Sequence, residues 1–199
     1  MECVVATGNA GKLREIRALL ADQPVELRSL EGLPPVAFPE EGGDYRSNAV
    51  AKARAVADQL GVVAVADDSG LEVDALGGAP GPFSARYGGP GLDDRGRLHA
   101  LLVALEGVPA GQRGARFVCH VALVGPAAEP ITSLGTCPGS IRTSPSGGGG
   151  FGYDPVFEPE GEAVTMAELS SGRKNQISHR ARAFAALARA AGWAERSSA

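Results

Sequence analysis

Much that would narrow a protein's role is scarce in this chain. No apolar run approaches the ~20 residues that a helix needs to span a bilayer. The opening Met1-Glu2-Cys3-Val4-Val5 lacks the basic and then apolar stretches of a signal peptide, so the expectation is a cytoplasmic protein with no membrane partner. Cysteine is limited to Cys3, Cys119 and Cys137. An odd, widely spaced set with no CxxC pair argues against a disulfide framework and reads as reduced core thiols. His99, His120 and His179 show no zinc spacing with one another or with the cysteines. Positive charge is also short: 19 Lys and Arg stand against 23 Asp and Glu, a net charge of -4. Bulk binding to nucleic acid needs a basic surface, and aromatics at 5% weaken an RNA-stacking role. A small basic pocket for a phosphorylated ligand is still allowed. What is plentiful is apolar side chain, 44% of 199 residues with 21% charged, enough for a sizeable core in one compact domain.

The most informative stretch is Gly147-Gly148-Gly149-Gly150-Phe151-Gly152-Tyr153-Asp154-Pro155. Consecutive glycines let a backbone approach a ligand closely, and here they run into aromatics and a carboxylate. A planar ligand can stack on Phe151 while Asp154 meets its polar edge.

Elsewhere strands alternate with helices. Cys3 to Ala6 reads as a buried strand, followed by a helix over about Leu13–Ala21 with Leu13, Ile16, Leu19 and Leu20 on one face. Val25–Leu30 is a second strand. Ser47 or Asn48 caps a helix from Ala49 to Leu60, which Gly61 ends. Val62–Ala66 is the clearest buried strand, stopped by Asp67-Asp68-Ser69-Gly70. Leu71–Pro90 reads as irregular and Leu98–Leu105 as a helix. Ala115–Val124 is a long strand, Pro130–Thr136 and Gly139–Thr143 two further ones, and a last helix covers about His179–Ala191. The pattern predicts an α/β fold with a mixed sheet.

Chemistry concentrates at strand ends. Thr7, Gly8, Asn9, Ala10, Gly11 and Lys12 join a strand to a helix, where backbone N–H groups and a lysine suit phosphate. The run is not a Walker A loop, because Ala6 stands where that motif needs glycine and Leu13 where it needs Ser or Thr. Asp67 and Asp68 follow the most buried strand and face different ways. One of them can hold Mg²⁺, which prefers oxygen ligands, or act on a water; a turn or capping role suits Asp67. Glu40 and Glu41, in the acidic loop, can add a ligand. Lys52, taken by itself, is a surface lysine, and His179 with Arg180 offers hydrogen-bond donors.

These segments together resemble the inosine triphosphate pyrophosphatase family. The resemblance spans nearly the whole chain and rests on Thr7–Lys12, Asn48–Ala53, Ala66–Leu71, Gly81–Tyr87, Gly150–Pro155 and Ser178–Arg180, six blocks in the family's order. The local departures, Gly172-Arg173 before Lys174 and a glycine- and alanine-rich texture, touch no motif. The resemblance implies a curved mixed β-sheet with flanking helices and two lobes around a central substrate cleft, in one domain over residues 1–196 with a frayed tail at 197–199. It implies a homodimer and Mg²⁺-dependent hydrolysis of ITP, dITP and XTP to the monophosphate and pyrophosphate. It assigns Asp68 as catalytic acceptor and metal ligand and Glu40 as second metal ligand. Thr7 to Lys12 grip the triphosphate, and Ser69, Phe151, Gly152, Tyr153, Asp154, Lys174, His179 and Arg180 contact the substrate.

The residues agree with such a reaction. Water attacks the α-phosphorus, and Mg²⁺, Lys12, Lys52 and Lys174 neutralise the triphosphate. A cation overhead is expected to lower the Asp68 pKa and make it a weak base. Donors on Arg180 and His179 bond a purine 6-oxo group but oppose an adenine amine, and Phe151 stacks on the ring. A pyrophosphatase for other modified nucleotides and a nucleotide-binding module without catalysis are the competing readings.

Overall fold

The computed structural model describes residues 1–193. Its elements run β1 (Glu2–Val5), α1 (Ala10–Leu19), β2 (Glu26–Arg28), α2 (Tyr45–Leu60), β3 (Ala64–Val73), β4 (Pro80–Gly81), α3 (Asp94–Ala104), β5 (Gly114–Val124), β6 (Ile131–Ile141), β7 (Phe157–Pro159), α4 (Ser171–Ile177) and α5 (His179–Ala190). Among the described residues the strands form one mixed sheet in the order β2-β1-β3-β5-β6-β7, with β4 beside β3. β1 is parallel to both β2 and β3, whereas β4 and β7 pair antiparallel with β3 and β6. The α/β class and mixed sheet expected from the sequence are therefore present. No helix among the described residues is long and apolar enough to cross a membrane.

The chain divides into two compact units, one made of residues 1–68, 119–135 and 180–193, the other of Ser69–Val118 and Thr136–His179. In the first unit the period-2 alternation of strands separates two apolar layers. Cys3, Val5, Val65, Cys119 and Val121 pack with Ile16 and Leu20 of the α1 region and Phe184 and Leu187 of α5. Val4, Ala6, Ala64, Ala66 and Ala122 pack instead on Ala49, Ala53, Val56 and Ala57 of α2. Small residues on both sides let α2 approach the sheet closely. In the second unit Leu98 and Leu101 of α3, with Leu105 just beyond it, pack with Leu71, Val73, Phe117 and Phe157.

Several boundaries differ from the sequence reading. β3 does not stop at Ala66 but continues through Asp67, Asp68, Ser69 and Gly70 to Val73. The two expected strands near 130–143 are one, β6. α2 starts four residues early because Asp44, not Ser47 or Asn48, is its cap, accepting the Ser47 N–H at 2.8 Å. The expected frayed tail at 197–199 lies outside the described residues.

Candidate active site

Strand parity decides where the two aspartates go. Asp67 shares its face with Val65 and meets the α1/α5 layer; Asp68 shares its face with Ala64 and Ala66 and meets α2. Both are buried.

Asp68 is held on each oxygen. Asn48 Nδ2 donates to Oδ2 at 2.9 Å and Lys52 Nζ to Oδ1 at 2.9 Å. The 48/52 spacing is one helical turn, which puts both side chains on the same face of α2. Asn48 also grips the acidic loop, with its Oδ1 accepting the Gly42 N–H at 2.8 Å and its Nδ2 donating to the Gly42 carbonyl at 2.9 Å. That grip sets the neighbouring Glu41 at 2.8 Å from Lys52 Nζ. Lys52 therefore bridges two carboxylates, while Glu40, the residue expected at the metal, is exposed. Burial pushes the Asp68 carboxyl above its ordinary value against the opposing pull of Lys52 and Asn48.

Asp67 is not a turn residue. Its Oδ2 lies 3.1 Å from Lys12 Nζ and 3.1 Å from Arg180 Nη2. Burial would raise its pKa, but Lys12, Arg180 and Lys52 outweigh burial and hold the carboxyl far below the usual carboxylate range. Arg180, 2% exposed, also donates to Glu15 on α1 at 2.5 Å. A guanidinium engaged by two carboxylates is an anchor for Asp67 and, through it, for Lys12. Sequence reasoning missed Glu15. The only signal for it was its place one turn beyond Lys12, on a helix that contributes the phosphate loop.

The expected segment joins β1 to α1, but the helix starts at Ala10 and not at Leu13. Asn9 caps α1, accepting the Lys12 N–H at 3.0 Å, and the Asn9 N–H donates to Thr7 Oγ1 at 3.2 Å. Gly8, Asn9 and Ala10 are exposed, and Gly11 and Lys12 half-buried, so the helix N-terminus faces outward with a lysine beside it. Ser69 lies half-buried in β3.

In the second unit the glycine run is docked rather than loose. Gly149 N–H donates to the Ala167 carbonyl at 3.0 Å, and Asp154 Oδ2 accepts the Phe151 N–H at 2.9 Å and Lys174 Nζ at 2.6 Å. The Lys174 ammonium lies 5.2 Å from the centroid of the half-buried Phe151 ring. Tyr153 is buried with its hydroxyl on the Ser84 carbonyl at 2.9 Å. The Gly152 N–H donates to Asp94 at 2.9 Å. His179 stacks on Phe117 at 4.7 Å between centroids. Phe151 and Lys174 thus form an aromatic face with a cation over it, while Asp154 and Tyr153 hold that face in place.

Among the described residues no three His, Cys, Asp or Glu side chains converge as a ready metal site. Asp68 and Glu41 on one ammonium nonetheless fit Mg²⁺, which is commonly bound by one or two carboxylates and completes its shell with water and substrate phosphates.

A buried carboxylate within β3, lysines on α1 and α2 and a helix N-terminus capped by Asn9 have the chemistry to meet a strongly anionic ligand. The chain belongs to the Ham1 family, whose model matches residues 3–190, in agreement with the resemblance read from the six motifs. It is 47% identical over 187 residues to the dITP/XTP pyrophosphatase of Shouchella clausii, with 94% of each chain covered. It is 49% identical to that of Geobacillus kaustophilus, over 94% of this chain and 92% of the relative. A HAM1 protein from Coxiella burnetii superposes with a TM-score of 0.85 at 38% identity, covering 98% of this chain and 99% of that one. A nucleoside-triphosphatase / dITP/XTP pyrophosphatase from Mycobacterium abscessus gives 0.76 at 45% identity, covering 94% and 98%.

Proposed function

We propose that this chain hydrolyses 6-oxo purine nucleoside triphosphates (dITP, ITP and XTP) to the monophosphate and pyrophosphate, with Mg²⁺, as a cytoplasmic homodimer. The observation that carries the reading is Asp68, a buried carboxylate aimed by Asn48 and Lys52, in a chain nearly half identical to enzymes named for this reaction.

Each part of the substrate has matching chemistry. The α1 N-terminus and Lys12 bind phosphate oxygens, and Lys12 exchanges its bond to Asp67 for one to the anion while Arg180 keeps Asp67 compensated. Asp68 orients a water toward the α-phosphorus and takes its proton as the new P–O bond forms and the bond to the bridging oxygen breaks, releasing pyrophosphate. Lys52 stabilises the negative charge on the departing group. Mg²⁺ would be held by Asp68 and Glu41 and would supply neutralisation of the triphosphate. The purine stacks on Phe151. Lys174 has three donors, so it can bond Asp154 and a 6-oxo oxygen together. An adenine amine would face it donor to donor, at a cost of about 1–3 kcal/mol.

The test is release of pyrophosphate from dITP, dATP and dGTP, with Mg²⁺ and with EDTA. Metal-dependent release from dITP above dATP is expected, and dGTP, which shares the 6-oxo group, reports the effect of a 2-amino group. Orthophosphate as the product, or no turnover by folded protein, would overturn the reading. Light scattering checks the dimer.

A further inference from the structure

Beside its bonds to Ala167 and Lys174, the glycine–aromatic run is tied by Asp154 on the Phe151 N–H and by the Tyr153 hydroxyl on the Ser84 carbonyl. A further tether comes from 58 residues away, where Asp94 Oδ2 accepts the Gly152 N–H at 2.9 Å. Asp94 opens α3 and is itself immobilised. Its Oδ1 pairs with Arg97 at 2.8 Å, and Arg97 also donates to the Leu92 carbonyl. Asp93 caps the same helix, accepting the Gly96 N–H at 2.8 Å. The turn before it is closely packed, since a Cβ on Gly88 would stand 2.8 Å from that of Ala100. Burial opposes ionisation of Asp94, but Arg97 and the Gly152 N–H outweigh it and hold the carboxyl below its ordinary range.

A fixed carboxylate bonded to the peptide that leaves Phe151 sets the direction of that peptide, and so the point and direction from which the Phe151 side chain departs. We infer that Asp94 is a positioning residue for purine selection, fixing the Phe151 platform through the Gly152 N–H while Arg97 holds the carboxylate on α3. The inference rests on the reading of Phe151 as the surface on which the purine stacks. A charge-assisted bond to backbone is worth more than a neutral one, and its loss is felt by the base and not by the triphosphate.

The experiment uses the full chain with Asp94→Ala, Asp94→Asn and Phe151→Ala. The readouts are kcat and KM for dITP, Ki for inorganic tripolyphosphate, and hydrogen exchange of the Gly152 amide. Asp94→Ala is expected to raise KM about tenfold, with kcat within about twofold. Tripolyphosphate, which has the anion and no base, is expected to bind unchanged, and the Gly152 amide to exchange faster. Asp94→Asn keeps an oxygen acceptor without the charge and is expected at an intermediate KM, so it serves if the alanine variant does not fold. A tripolyphosphate Ki that rises in step with KM would make Asp94 a general structural residue and overturn the inference. Unchanged KM in the Asp94 variants beside a raised KM in Phe151→Ala would overturn it alone. Unchanged KM in Phe151→Ala would remove the platform reading, and this inference with it.

Discussion

Asp67 and Asp68 are adjacent in β3, yet they turn to opposite faces of the sheet and meet different cations, Asp67 with Lys12 and Arg180 and Asp68 with Lys52. The two should therefore fail differently. Asp67→Ala leaves Glu15 on a guanidinium that is 2% exposed but takes away its second carboxylate and the partner of Lys12 as well, and breaking such a buried network costs about 3–5 kcal/mol. Asp68→Ala leaves Lys52 paired with Glu41, so it should cost less stability while lowering kcat by about 10²–10⁴. Urea unfolding and dITP turnover on both variants separate the roles. Equal stability of Asp67→Ala and the parent would refute the first, and retained turnover in Asp68→Ala the second.

The same pair predicts an acid limb. The Asp67 pKa is depressed on folding, so below the ordinary carboxylate pKa of ~4 the unfolded chain binds a proton that the native chain does not. Its stabilisation is present in full above that pH and is lost as pH falls toward the folded value. Unfolding free energy of the parent should drop more steeply below about pH 4 than that of Asp67→Asn. Parallel curves for the two proteins would show that Asp67 is not the group responsible.

The parity that splits the aspartates was legible in Ala64-Val65-Ala66, and so was the loop–helix start at Thr7–Lys12. What local pattern could not supply was partners distant in the chain. β3 continues through two aspartates because their charges are met by Lys12, Lys52 and Arg180, the last 113 residues away. A polar run looks like a strand end until those cations are known. Asp44, Ser47 and Asn48 are all capping types, and only the fold shows that Asp44 caps while Asn48 reaches Asp68. The same contact brings Glu41 to Lys52, since Asn48 fixes Gly42 and thereby the neighbouring carboxylate. No local feature announces Glu15, 165 residues before Arg180, as a partner of that guanidinium.

The thiols should be inert in the native protein. Burial pushes Cys3 up to about 12, and burial with Asp67 alongside raises Cys119 as well; Cys137 is buried too. Thiolate is the reactive form. A disulfide reagent at about pH 8 should leave all three unmodified in the folded chain and titrate all three in guanidinium. Rapid modification of Cys3 or Cys119 without unfolding would contradict the burial found here.

Two neighbouring glycines offer the sharpest test of the docked loop. At Gly150 φ is +72°, and a Cβ would fall 2.0 Å from Asp154 Oδ2, the oxygen that holds both Phe151 N–H and Lys174. Gly148 has open space around its Cβ position. Gly150→Ala therefore forces Asp154 away from its partners in addition to a backbone strain of about 1–3 kcal/mol. It should raise KM for dITP by at least about tenfold, a shift of about 1.4 kcal/mol. Gly148→Ala should stay within about twofold of the parent, because nothing there must move. If the run were only a flexible linker, both substitutions would be tolerated alike, and equal KM values for the two variants would establish that instead.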